Sequence, residues 1–133
     1  LTTPPPRTGL IKWADLTVEN PEAVVDFYQA VVGWNATGFE AAGRTDYVMS
    51  HPETGDTTAG ICQQAGELDG LPQQWLVYVT VDDLDDAITA CDQKGGKVVF
   101  GPKLSETLGR WCVVEDPAGA VMALTELTPG EDN

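Results

Sequence analysis

"IKWADLTVENPEAVVDFYQAVVG", residues Ile11–Gly33, and "WLVYVTVDDLDDAITACDQKGG", residues Trp75–Gly96, follow one plan. In the first, Ala14, Leu16 and Val18 alternate with Trp13, Asp15 and Thr17, which is the period of a strand with two unlike faces. The period changes at Asn20-Pro21, an N-cap followed by proline at the first helical position. Val24, Phe27, Tyr28 and Val31 then stand at i, i+3, i+4 and i+7 and predict the buried face of a helix that Gly33 stops. In the second stretch a strand runs from Trp75 to Val81 and Asp83 is the cap. Leu84, Ala87, Ile88 and Cys91 form the buried stripe, and Gly95 and Gly96 terminate the helix.

The two stretches superpose without a gap at an offset of 83 − 20 = 63, pairing Asn20 with Asp83, Val18 with Val81, Thr17 with Thr80, Val25 with Ile88 and Gly33 with Gly96. Such self-similarity implies two copies of one supersecondary unit. After the first helix come the strand-like segments "NATGFEAAG", "TDYVMSH" and "TTAGICQQ", with turns at "AAGR", where Gly43 can take a positive φ, and at "HPETGD". After the second come "GKVVFGP", "GRWCVVED" and "AVMALTEL", the last two joined by a "DPAG" turn. Each copy therefore reads β-α-β-β-β, with "AGELDGLPQ" as the linker between them.

A chain of 133 residues suits one domain with its own core. The expected organisation is an N-terminal arm over 1–9, a domain over 10–128 built from repeats at about 10–64 and 73–127, and a tail over 129–133. The arm, "LTTPPPRTG", has no secretory-signal pattern and is expected to be flexible. No apolar run approaches a membrane span.

Seven basic against 21 acidic residues give a net charge of −14, which disfavours nucleic acid and anionic membrane surfaces as partners. The acidity serves solubility or attracts a cationic ligand. Cys62, Cys91 and Cys112 are odd in number and lack CxxC spacing, so the expectation is three buried thiols in a reducing cytoplasm rather than disulfides or a zinc site.

"PEAVVDFYQAVVGW", "VTVDDLDDAI", "GGKVVFGP" and "VVEDPAGAVMAL", in this order, give the chain from Ile11 to Leu127 a resemblance to the vicinal oxygen chelate superfamily of glyoxalases, bleomycin-resistance proteins and extradiol dioxygenases. The wording is closest to a bacterial glyoxalase-like subgroup. The resemblance implies an α+β fold in which tandem βαβββ modules form a curled mixed sheet around a concave site, with the helices outside. It also implies a divalent metal held by His, Gln or Glu from four strands. Carried onto this chain, those ligand positions fall on Trp13, Leu76, Ala123 and a residue near Ile61. None of the four side chains has a lone pair for a cation, so no metal and no cofactor is expected. Glu126 points to the face opposite Ala123, and His51, the single histidine, reads as an exposed turn residue.

Alternation assigns Trp13, Asp15, Ile61, Leu76, Tyr78, Val121, Ala123 and Thr125 to the concave face, with Tyr47 and Met49 at its mouth. This is an apolar, aromatic cup of the kind that takes small molecules. Asp15 is the candidate catalytic or ligand-pairing residue, because a carboxylate on such a face is expected to have a raised pKa. Its alternative is a structural hydrogen bond to Tyr78 or a backbone amide. Trp13 is either a plug in the vacated metal place or a stacking platform. Trp75, of opposite parity, is expected on the helix side, and Arg110 and Glu115 as a surface pair.

Three functional readings follow. The chain binds a small apolar or cationic organic ligand, as bleomycin-resistance proteins do, without the family metal. Alternatively it is a metal-independent isomerase or lyase with Asp15 as general base and Tyr78 as partner, or a domain with a filled cavity that works through protein contacts. The resemblance further implies a homodimer.

Overall fold

The computed structural model describes residues 8–41, 43–105 and 108–126. The expected tail, and the expected arm apart from Thr8 and Gly9, lie outside the described residues. The elements follow the order read from the sequence: β1 (Ile11–Val18), α1 (Pro21–Val32), β2 (Asn35–Ala41), β3 (Arg44–Ser50), β4 (Thr57–Gln63), a single 3-10 turn (Gly66–Leu68), β5 (Leu76–Val81), α2 (Leu84–Gln93), β6 (Lys97–Ser105), β7 (Gly109–Glu115) and β8 (Val121–Glu126). The protein is of the expected α+β class, with two βαβββ modules. They fall into two compact units, Trp13–Leu76 and Val77 onward together with the residues up to Lys12.

In the Trp13–Leu76 unit the strand order is β2-β3-β4-β1. β1 runs parallel to β4, with Asp15 opposite Gly60 and Leu16 opposite Ile61, and the other pairs are antiparallel. In the second unit the order is β5-β8-β7-β6, with β5 parallel to β8 and Tyr78 opposite Ala123. Asp15–Gly60 and Tyr78–Ala123 are the same pair displaced by the repeat offset of 63, since 78 − 15 and 123 − 60 both equal 63.

Each helix covers one face of its own sheet. α2 does so through Leu84, Ile88 and Cys91, which pack with Val81, Val98, Cys112, Val114, Met122 and Leu124. Asp83 caps α2, its Oδ1 accepting from the Asp86 N–H at 2.9 Å. The Glu126 carboxylate accepts from the Leu84 N–H at 2.7 Å, so this residue closes a helix N-terminus on the helix side of β8. Arg110 pairs with Asp85 at 2.9 Å and Glu126 at 3.5 Å, while Glu115 meets Lys97. The expected Arg110–Glu115 pair is not formed.

α1 departs from its expected orientation. Phe27 and Val31 are 55 % and 64 % exposed, and the face turned to the sheet is Pro21, Val24, Val25 and Tyr28. Both sets satisfy helical spacing, because α1 is apolar around most of its circumference and periodicity alone does not choose between them. The repeat does choose: adding 63 to Pro21, Val24, Val25 and Tyr28 lands on Leu84, Ala87, Ile88 and Cys91, the stripe α2 buries. Asn20 sits at the N-cap but makes no side-chain cap bond, whereas Gly33, at φ 89°, ends α1 in the left-handed region with its N–H on the Gln29 carbonyl. Trp75 lies on the helix side as expected, donating from Nε1 to the Tyr28 hydroxyl at 2.9 Å.

Candidate functional site

In the Trp13–Leu76 unit, register separates the two sheet faces. Leu16, Ile61, Tyr47 and Met49 stand on one side and pack with Val25 of α1. Asp15, Gly60 and Val48 stand on the other, together with Trp13 one step along β1. Tyr47, Met49 and Ile61, expected to line the concave face, therefore belong to the helix-side core. For Ile61 the difference is one residue in β4, where Gly60 and not Ile61 stands opposite Asp15, and one residue is enough to move a strand side chain to the opposite face. An irregularity between Met49 and Ser50 shifts the β3–β4 register, and no alternation pattern in the sequence reports it.

The helix-free position on β4 is Gly60, and a signal for it was present: subtracting 63 from Ala123 gives 60. Its missing side chain has a structural use. A Cβ on Gly60 would overlap Asp15 Oδ1 and come within 3.3 Å of Trp13 Nε1. The Asp15 carboxylate thus lies in the space that a β4 side chain would fill. There it accepts a hydrogen bond from the Trp13 indole N–H at 2.6 Å, with both residues half-buried. The short length marks a charge-assisted bond. Trp13 and Asp15 act as one unit, an indole edge clamping a carboxylate above a glycine floor.

The same face carries a second polar group. Asp46 on β3 is buried; both its oxygens accept from Arg44 Nε, at 3.2 and 3.0 Å, and Oδ1 also accepts from the Gln63 N–H. Burial, and then the negative charges of Asp15 and Asp46, push the Cys62 thiol far above its ordinary range, with Arg44 opposing in part. A thiol so placed stays protonated and is a poor nucleophile. These groups were not singled out in the sequence, where a lone "RTD" carries no motif; only strand pairing brings them beside Cys62.

In the second unit, Tyr78 and Ala123 stand on the helix-free face, opposite the Leu84–Cys112–Val114 core, and Thr125 shares their parity; Leu76, of the same parity on β5, closes the Trp13–Leu76 unit. Trp111 and Phe100 join them: the Tyr78 and Trp111 ring centroids lie 5.9 Å apart, and those of Phe100 and Trp111 5.4 Å. Tyr78, Trp111, Val113 and Ala123 are all buried. This face is packed with its own aromatic side chains. Cys112, on the helix side, has its pKa pushed up to about 11, chiefly by burial. At the outer end of this sheet, Pro102, Lys103, Leu104 and Arg110 line an open depression of about 410 Å³.

His51 is exposed in its turn, its Nδ1 accepting from the Glu53 N–H. The three cysteines are free: Cys112 is buried, whereas Cys62 and Cys91 are only half-buried. The positions onto which the resemblance would carry the family's metal ligands are, each taken by itself, Trp13, Leu76, Ala123 and, by the register of β4, Gly60 in place of Ile61. Indole, hydrogen, isobutyl and methyl do not fit a divalent cation. Among the described residues, no group of three or more His, Cys, Asp or Glu side chains is placed to hold a metal ion, and no helix is long and apolar enough to cross a membrane.

Comparison with known proteins agrees with this architecture. The family model for the Glyoxalase/Bleomycin resistance protein/Dioxygenase superfamily matches residues 10–124. The chain is 32 % identical over 123 residues to the putative glyoxylase CFP32 of Mycobacterium bovis, covering 92 % of this chain and 46 % of that protein. It is 30 % identical over 128 residues to the anthracycline biosynthesis protein DnrV of Streptomyces peucetius, covering 87 % of this chain and 46 % of that protein. The chain thus spans about half the length of the curated relatives it matches. Among solved structures, methylmalonyl-CoA epimerase from Mycobacterium tuberculosis has the same fold, with a TM-score of 0.54 at 18 % identity over 97 % of this chain and 93 % of that one.

Proposed function

We propose that this chain, which belongs to the Glyoxalase/Bleomycin resistance protein/Dioxygenase superfamily, binds a small organic ligand with a flat apolar body on the helix-free face of its Trp13–Leu76 unit, without a metal at the family's ligand positions. The observation that carries this reading is the Trp13–Asp15 pair above Gly60, a half-buried indole held in a fixed orientation by a 2.6 Å hydrogen bond. An aromatic surface fixed before binding loses little freedom when a ligand stacks on it. A relative named for anthracycline biosynthesis, a polycyclic aromatic chemistry, supports the same ligand class.

Of the ligands expected from sequence, the apolar class is the better supported, because Asp15 and Asp46 already accept hydrogen bonds from Trp13, Arg44 and Gln63. The same engagement weakens the isomerase or lyase reading, since the indole occupies one oxygen of the carboxylate that would take a proton. The reading includes a homodimer in a reducing cytoplasm, which light scattering of the full chain and growth-compartment fractionation would test.

The decisive experiment is a fluorescence titration with a neutral naphthalene amide and an anthracycline. Saturable quenching of the wild type, weakened about tenfold in Trp13→Phe, is expected for the loss of a stacking indole worth about 1–1.5 kcal/mol. Equal quenching of the two proteins refutes the site. Stoichiometric zinc, nickel, manganese or iron in the purified protein, lost on replacing Asp15, refutes the metal-free part.

A further inference from the structure

We infer that the Nη1 end of the Arg44 guanidinium anchors the carboxylate of an aryl acid bound on this face. The inference rests on the proposed ligand face and names the chemistry of one end of the ligand. Arg44 opens β3, and its side chain is only 12 % exposed. Asp46 holds it through Nε with both oxygens, and the Gln63 N–H in turn fixes Asp46, so the guanidinium plane is set before any ligand arrives.

Nη1 lies at the other end of that plane. Among the described residues it is the buried side-chain nitrogen or oxygen that has no hydrogen-bond partner. Buried donors are nearly always matched, and one left open on an oriented guanidinium suits a planar oxyanion. Glu67 Oε1, from the 3-10 turn of the linker, stands 3.8 Å from Nη1, too far for a hydrogen bond but near enough to occupy the approach as a resident carboxylate. A ligand carboxylate would take its place.

The apolar part of the ligand has a surface beside this anchor. Phe39 on β2 is the cross-strand partner of Asp46, stands on the same face and is 46 % exposed. Val48 follows Asp46 on that face of β3. An aromatic ring laid on Phe39 and Val48, with its acid group turned to Arg44, uses both features. A free inorganic anion uses only one.

Calorimetric titration of the full chain with benzoate, the neutral isostere benzamide and inorganic phosphate tests the assignment. Benzoate is expected to bind about tenfold more tightly than benzamide, the margin of one charge-assisted hydrogen bond. Glu67→Gln should raise benzoate affinity and leave that of benzamide unchanged. In Arg44→Lys with an unchanged circular dichroism spectrum, benzoate should fall to the level of benzamide. Equal affinities for benzoate and benzamide in both wild type and Glu67→Gln overturn the assignment, as does the absence of any benzoate binding. Displacement of benzoate by an equal concentration of phosphate overturns the aryl part. Benzamide probes the apolar face alone, so its retained binding without a benzoate preference separates failure here from failure of the proposed ligand face.

Discussion

An alanine at position 60 would put a methyl group where the Asp15 carboxylate now lies, against Oδ1 and 3.3 Å from both Asp15 Cγ and Trp13 Nε1. β4 is hydrogen-bonded to β3 on one side and β1 on the other, so its backbone has no room to retreat. Asp15 must rotate away and give up the 2.6 Å bond from the indole. Losing a hydrogen bond to a charged group costs about 1.5–3 kcal/mol. The substitution returns about 0.4–1 kcal/mol through the unfolded chain, because Gly60 has no positive φ and alanine fits its backbone. The net expectation is a loss of about 1–2 kcal/mol and a fall in Tm of several degrees.

Urea unfolding followed by tryptophan fluorescence would measure the loss, and the cycle with Asp15→Ala locates its cause. With the carboxylate gone, Gly60→Ala should be neutral or slightly stabilising. An unchanged urea midpoint for Gly60→Ala alone, or the same loss in the Asp15→Ala background, would refute the glycine-floor account.

Asp83→Ala should lower stability by about 1 kcal/mol, read from the urea midpoint, because it removes the cap on the Asp86 N–H. Trp75→Phe should cost about 1 kcal/mol by removing the bond to the Tyr28 hydroxyl, and Tyr28→Phe added to it should cost little more. Cys112 has a folded-state pKa raised from 9.0 to about 11, so its contribution is fully present below pH 9 and is lost as pH rises from 9 toward 11. Cys112 should add a slope of up to about 1.4 kcal/mol per pH unit over that window, beside that of the more strongly raised Cys62, and Cys112→Ala should reduce the slope in alkaline urea titrations without abolishing it. Asp85, held below the usual carboxylate range by the hydrogen bond and charge of Arg110, acts at the opposite end. Its small contribution is present at neutral pH and disappears as pH falls through its depressed pKa; Asp85→Asn should show a shallower acid transition.

The local elements were legible because they rest on short-range chemistry. Asn20-Pro21 starts a helix whether or not its side chain completes the cap, Gly33 and Gly43 turn the chain at positive φ, and Asp83 caps as its position predicts. The repeat is legible too, and it carries information about packing. Its offset selects the correct buried face of α1 and places Gly60, not Ile61, opposite Asp15. Alternation taken without that offset assigns Tyr47, Met49 and Ile61 to the wrong face.

What the sequence by itself determined is the order of elements in the two βαβββ modules and the face of β1 on which Trp13 and Asp15 stand, since strand and helix periods are properties of neighbouring residues. Tertiary structure alone decided that the Asp15 carboxylate sits over a glycine, that Arg44 Nη1 is buried without a hydrogen-bond partner, and that Trp111 packs against both Tyr78 and Phe100. Those are contacts between strands, and a contact between strands depends on register, which a single residue gained or lost in a turn reverses.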